Sequence, residues 1–173
     1  MTAKVRPRAS SEAPSAAIPS EDVFGESEFY EAEDLTALGR HLIQKHAELN
    51  FLVDFRVRFL WKLTGGGLNG RKTLGRCRVT DQLVRYFAQA DWVIWLAADY
   101  LAEYEFSDRQ VEALLYHEML HCRLSGREGD TPGIRGHDVE IFGGELVRYG
   151  LWEEGLEVLA SQIRRAEEMG RRR

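Results

Sequence analysis

Two cysteines, Cys77 and Cys122, are too few for a disulfide framework in a chain of 173 residues, and they point to a reducing compartment. Proline is nearly as scarce. Three of the four prolines (Pro7, Pro14, Pro19) crowd into the first twenty residues with serine and alanine. Such a composition buries too little apolar surface to offset its ordering entropy, so residues 1–25 are expected to form a disordered tail. Long apolar runs are missing as well. No segment nears the ~18 consecutive apolar residues of a membrane span, and the first 25 residues lack the apolar core of a signal peptide. The expected protein is soluble and cytoplasmic, with no membrane partner. Positive charge is not in excess either: the formal net charge of −5 argues against non-specific nucleic-acid binding by the whole chain. What is present is 44% hydrophobic residues and 10% aromatics, enough for the core of one domain, expected over residues 26–170.

Helical and strand periods alternate along that domain. After the acidic segment 21–34, Leu35, Leu38, Leu42 and Leu49 recur at helical spacing and predict a first helix. "FLVDFRVRFLWKL" (51–63) alternates apolar and polar residues and predicts a half-buried strand. The glycine-rich residues 64–70 then read as a hairpin loop from which "KTLGRCRVT" (72–80) returns as a second strand. That loop nearly spells a phosphate-binding P-loop, but Arg71 stands where the lysine is required, and a strand rather than a helix follows. A short helix is predicted at 81–90. "DWVIWLAADYL" (91–101) reads as a strand apolar on both faces and hence buried. Ser107 and Gln110 form a capping box that opens a helix through "RQVEALLYHEMLHCRL" (109–124), with Gly126, Gly129, Pro132 and Gly133 ending it in a loop. Two further helices are expected at about 136–149 and 152–169, parted by Gly150 as a C-terminal cap.

The helix at 109–124 carries His117-Glu118-x-x-His121. Residues four apart on a helix lie one above the other, so both imidazoles can reach one ion. Glu118 stands beside the pair without being needed as a ligand, where it can take a proton from a water whose pKa a hydrolytic zinc lowers to roughly 7. Imidazole donors around an open ion favour Zn²⁺ over calcium or magnesium. A catalytic zinc wants three protein ligands, and two candidates follow: His137 and Glu140, expected on one face of the next helix. A metzincin continuation is excluded, since Leu124 and Arg127 occupy its glycine and third-histidine positions. His41 and His46 do not share a helix face and read as solvated or core histidines. Cys122, roughly 140° from His117 on a helical wheel, reads as a buried thiol.

"ALLYHEMLHC" and "GHDVEIFGGELVRYGLW", preceded by "LGRCRVT" and "DWVIWLAADYL", resemble the putative phage metallopeptidase family, which is itself similar to SprT-like zinc metallopeptidases of the HExxH type. The resemblance covers roughly residues 30–152. It implies an α+β, zincin-like fold, with a small antiparallel or mixed sheet packed on the active-site helix and further helices C-terminal. It further implies that His117, His121 and His137 ligate Zn²⁺, that Glu118 is the general base, and that the strand before the active helix offers an edge to an extended substrate. Asp138 and Glu140 match the family pattern without a fixed role. With His137 as ligand, Glu140 falls one turn deeper, where a carboxylate can orient a ligating imidazole.

The function expected is therefore zinc-dependent hydrolysis of a protein or peptide in a bacterial or phage-infected cell, with the substrate adding beside the 91–97 strand. Arg148 and Tyr149 are candidates for stabilising the oxyanion. An alternative is a nucleic-acid-associated or zinc-stabilised interaction protein. Residues 54–78 hold Arg56, Arg58, Lys62, Arg71, Lys72, Arg76 and Arg78 against the single acid Asp54, a basic hairpin that could meet DNA or a DNA-bound protein. Against it stands an ordinary charged face balanced by the acidic segments 21–34 and 153–157.

Overall fold

A computed structural model describes residues 13–68, 71–126, 130–137, 143–151 and 154–171. It divides the chain into two compact units, 1–135 and 136–173. In the first unit a 3-10 turn, Glu21–Phe24, precedes β1 (Phe29–Tyr30), α1 (Glu33–Lys45) and a 3-10 stretch, Ala47–Asp54. There follow β2 (Val57–Lys62), β3 (Gly67–Leu68), β4 (Arg71–Lys72), β5 (Gly75–Val79), α2 (Gln82–Ala88), β6 (Trp92–Ala97) and α3 (Ala98–Glu103). The unit closes with α4 (Asp108–Leu120), β7 (Cys122–Ser125) and β8 (Thr131–Ile134). The second unit contributes α5 (Gly143–Tyr149) and α6 (Glu154–Gly170). They are parted at Gly150, whose positive φ of 67° lets its N–H cap the Leu146 carbonyl at 3.0 Å.

The fold is α+β. Its main sheet has the order β1-β2-β6-β5, with β2 and β6 parallel and the other two pairs antiparallel. The central strand is the one with two apolar faces: all of β6 is buried except Val93, which is half-buried. On one side of the sheet Phe59, Trp61, Trp92, Ile94 and Leu96 join Leu35, Leu38 and Leu42 of α1 and Val111, Leu115 and Met119 of α4 in a single core. Residues 1–12 of the expected tail lie outside the described residues; beyond them, Ala16 and Phe24 are buried and Ala17 donates its N–H to Asp34 at 2.8 Å.

Four local readings are corrected. The strand expected at 51–63 begins only at Val57, because residues 47–54 wind as 3-10 helix. In that winding residues three apart share a face, and Leu49 and Leu52 are both 1% exposed. Next, β2 and β5 are not neighbours, since β6 inserts between them. This has a consequence for the 91–97 strand: both edges of β6 are already paired, so no peptide can add beside it, and the terminal strand next to it is β5. The strand predicted to run to residue 101 stops at Ala97, where α3 starts and Asp99 Oδ1 accepts the Gly65 and Tyr100 N–H groups at 3.0 and 2.8 Å. Finally, the helix predicted to run to residue 124 ends at Leu120, and the stretch read as its terminal loop is the β7–β8 hairpin.

Candidate metal centre

The helix that carries the His-Glu-x-x-His motif is held at both ends. At its start, Gln110 Oε1 accepts the Ser107 backbone N–H at 3.0 Å, closing the predicted capping box. Val111, Leu115, Glu118 and Met119 form its buried face. At its end His121 is the C-cap, still helical at φ −70° and ψ −20°, which keeps it one turn from His117. The two imidazole centroids are 5.1 Å apart and their planes nearly perpendicular, at 85°. Beside them Glu118 is only 6% exposed.

The hairpin fixes the second imidazole. Its register pairs Cys122 with Ile134, and the ladder continues one step outward as the Arg135 N–H donates to the His121 carbonyl at 2.8 Å. In return the Arg135 carbonyl lies 2.7 Å from His121 Nδ1. A carbonyl can only accept, so Nδ1 carries the proton and the lone pair sits on Nε2, the arrangement a ligating histidine needs. The Trp92 indole N–H anchors the same hairpin through the Gly133 carbonyl at 2.9 Å. Two residues past Arg135 the chain reaches His137. His117, His121 and His137 each offer one ligand atom, and these atoms all lie within 4.8 Å of one another. Three imidazoles suit a borderline metal ion such as zinc, so the donor set fits. Of the remaining candidates, Asp138 and Glu140 lie outside the described residues. His137 itself is not in a helical turn, since the next described helix begins at Gly143.

Three contributors carry no metal-site signal in the sequence. Gly75 of β5 passes so close to α4 that a Cβ built on it would stand 2.9 Å from Glu118 Oε1. Cys77, on the same face of β5, places its sulfur 3.5 Å from that of Cys122, and both thiols are buried and free. The Cys77 sulfur, then burial, then the charge of Glu118 hold the Cys122 thiol protonated, far above its ordinary range. The third is the Arg135 carbonyl, which only the hairpin brings to His121; the signal that could have found it is the glycine-rich 126–129 segment between two short strand-like runs. Behind the helix, Tyr116 donates to Glu48 and packs against His46, the ring centroids 4.6 Å apart and the planes tilted by 46°, so His46 belongs to the helix packing. Burial, and then Glu48, push the Tyr116 phenol up to about 12.

The family model of the putative phage metallopeptidase matches residues 27–164. The chain belongs to that family. No curated protein and no solved structure matches it. A metallopeptidase requires a metal and a protein or peptide substrate, and the three-histidine group is a place where a metal could bind. Among the described residues no helix is long and apolar enough to cross a membrane.

Four of the basic residues of 54–78 stand close to carboxylates. Arg58 pairs with Glu31, Lys62 with Glu28 and Lys72 with Glu103, at 2.8, 2.7 and 2.6 Å, and Arg56 lies 3.6 Å from Asp91. Arg148 and Tyr149, the oxyanion candidates, belong to α5 in the second unit.

Proposed function

We propose that the chain is a zinc-dependent peptidase of the HExxH type, with His117, His121 and His137 holding the metal and Glu118 acting as general base. The observation that carries this reading is the convergence on Glu118: a buried carboxylate beside two imidazoles of fixed spacing, directly under an edge strand that presents glycine to it. A bound zinc supplies Lewis acidity, polarising the scissile carbonyl and lowering the pKa of a water to roughly 7.

The chain's own residues do the rest. β5 is the terminal strand of the sheet, so its outer N–H and C=O groups can take up an extended peptide by main-chain hydrogen bonds. Gly75, lacking a Cβ, lets the Glu118 carboxylate pack directly against this edge strand. The carboxylate takes a proton from the attacking water and returns it to the leaving amine. The Arg135 carbonyl keeps the His121 ring in the ligating tautomer throughout.

Glu118→Gln tests the reading, because the amide keeps the size but cannot accept the proton. Zinc content should stay at wild-type level while peptide hydrolysis falls by about 10²–10⁴-fold, the usual worth of a general base. Turnover at the native rate would remove Glu118 from the mechanism.

A further inference from the structure

The main sheet matches its cations strand by strand except at one end. On β2, Arg58 and Lys62 are met by Glu31 and Glu28, which flank the neighbouring strand β1. On β5, Arg76 and Arg78 alternate with Gly75 and Cys77, so they share the sheet face turned away from Glu118. Both arginines are exposed, and among the described residues neither makes an ion pair. The difference is positional. β2 has a strand beside it to supply acids, whereas β5 ends the sheet, and among the described residues no backbone hydrogen bond ties its outer edge to another element.

We propose that the β5 edge selects extended peptides bearing an acid-x-acid pattern, with the two acidic side chains seated across from Arg76 and Arg78. This rests on the reading of β5 as the substrate-binding edge and names the substrate class for it. Residues directly opposite one another on paired strands point to the same face, with Cβ atoms about 4.5–5.5 Å apart. A peptide on β5 therefore presents every second side chain to the arginine face and the ones between to Glu118. The acids fall one and three positions, on the same side, from the residue opposite Gly75, and the main chain at Gly75 is the part nearest the base. The spacing of two holds whichever way the peptide runs. The arginine fork also favours carboxylates by geometry as well as charge.

The test uses full-length, zinc-loaded Glu118→Gln protein and three fluorescein-labelled peptides of one extended host sequence, carrying Asp-x-Asp, Asn-x-Asn or Lys-x-Lys. Anisotropy titration should show the Asp peptide binding roughly 10-fold more tightly than the Asn peptide, from two cross-strand charge pairs, and the Lys peptide most weakly. R76E/R78E, a surface change on an exposed face, should invert the order. Equal or undetectable binding of all three, or an order unchanged in R76E/R78E, would overturn the proposal. A single-stranded oligonucleotide that binds more tightly than any peptide, and loses that binding in R76E/R78E, would overturn it in favour of nucleic acid. Hydrolysis of the same peptides by the wild type is read separately. If the binding order holds and nothing is cleaved, the peptidase reading falls and the acidic-peptide edge stands.

Discussion

Gly75 on β5 faces Glu118 on α4 so closely that a methyl group on the glycine would lie 2.9 Å from the carboxylate Oε1 and 3.0 Å from its Cγ. The edge strand and the proposed base are thus packed directly together. Gly75→Ala should push the flexible end of Glu118 aside rather than unfold the sheet. Displacing a catalytic group by about 1 Å can cost roughly 10²-fold in rate, so kcat should fall steeply while the melting temperature and zinc content hold. A variant that melts far earlier than wild type would make Gly75 a packing residue instead.

The thiols of Cys77 and Cys122 lie 3.5 Å apart, well beyond the ~2.05 Å of a disulfide. Both are buried, and that of Cys122 is held protonated. Buried protonated thiols are poor nucleophiles. Iodoacetamide should therefore label neither cysteine in the native protein and both after unfolding, as read by mass spectrometry; rapid native labelling of Cys122 would show that the interior under α4 is open.

Asp91 joins three segments from a position only 8% exposed. Its carboxylate accepts the Arg56 N–H at 2.9 Å and lies 3.2 Å from Arg85 Nε. The arginines are partly solvated and add little, so the main effect of Asp91→Ala is to strand the Arg56 N–H. A loss of about 1–3 kcal/mol is expected in urea denaturation. Asp91→Asn, which keeps an acceptor oxygen, should lose less, and equal losses would assign the effect to the ion pairs.

Much of this was legible because the physical signals were local. The capping box at Ser107 and Gln110, the spacing of Leu35, Leu38 and Leu42 in α1 and the doubly apolar β6 each follow from a period or a cap, and each is present in the structure, whereas Leu49, read with the same helix, lies in the 3-10 stretch beyond its end. The i, i+4 spacing of His117 and His121 likewise survives as two rings on one side of the helix. The failures were of pairing. Alternation in 51–63 cannot tell a strand from a 3-10 turn that buries Leu49 and Leu52 at a spacing of three. Nothing in 64–80 reveals that β6, still to come in the chain, will insert between β2 and β5. The β7–β8 hairpin was hidden because Cys122 and Leu124 extend the helical pattern of α4, while its strands are only four residues long. That hairpin matters most, since it sets Arg135 against His121 just before His137.

The central claim, one zinc held by His117, His121 and His137 over Glu118, is tested most directly by anomalous diffraction at the zinc edge from crystals of the full chain. The account predicts one strong peak per chain, with the three imidazole nitrogens about 2.0–2.1 Å from it and Nε2 as the donor atom of His121. A peak ligated by Glu140 in place of His137, or no zinc peak at His117 and His121 in zinc-grown crystals, would contradict it.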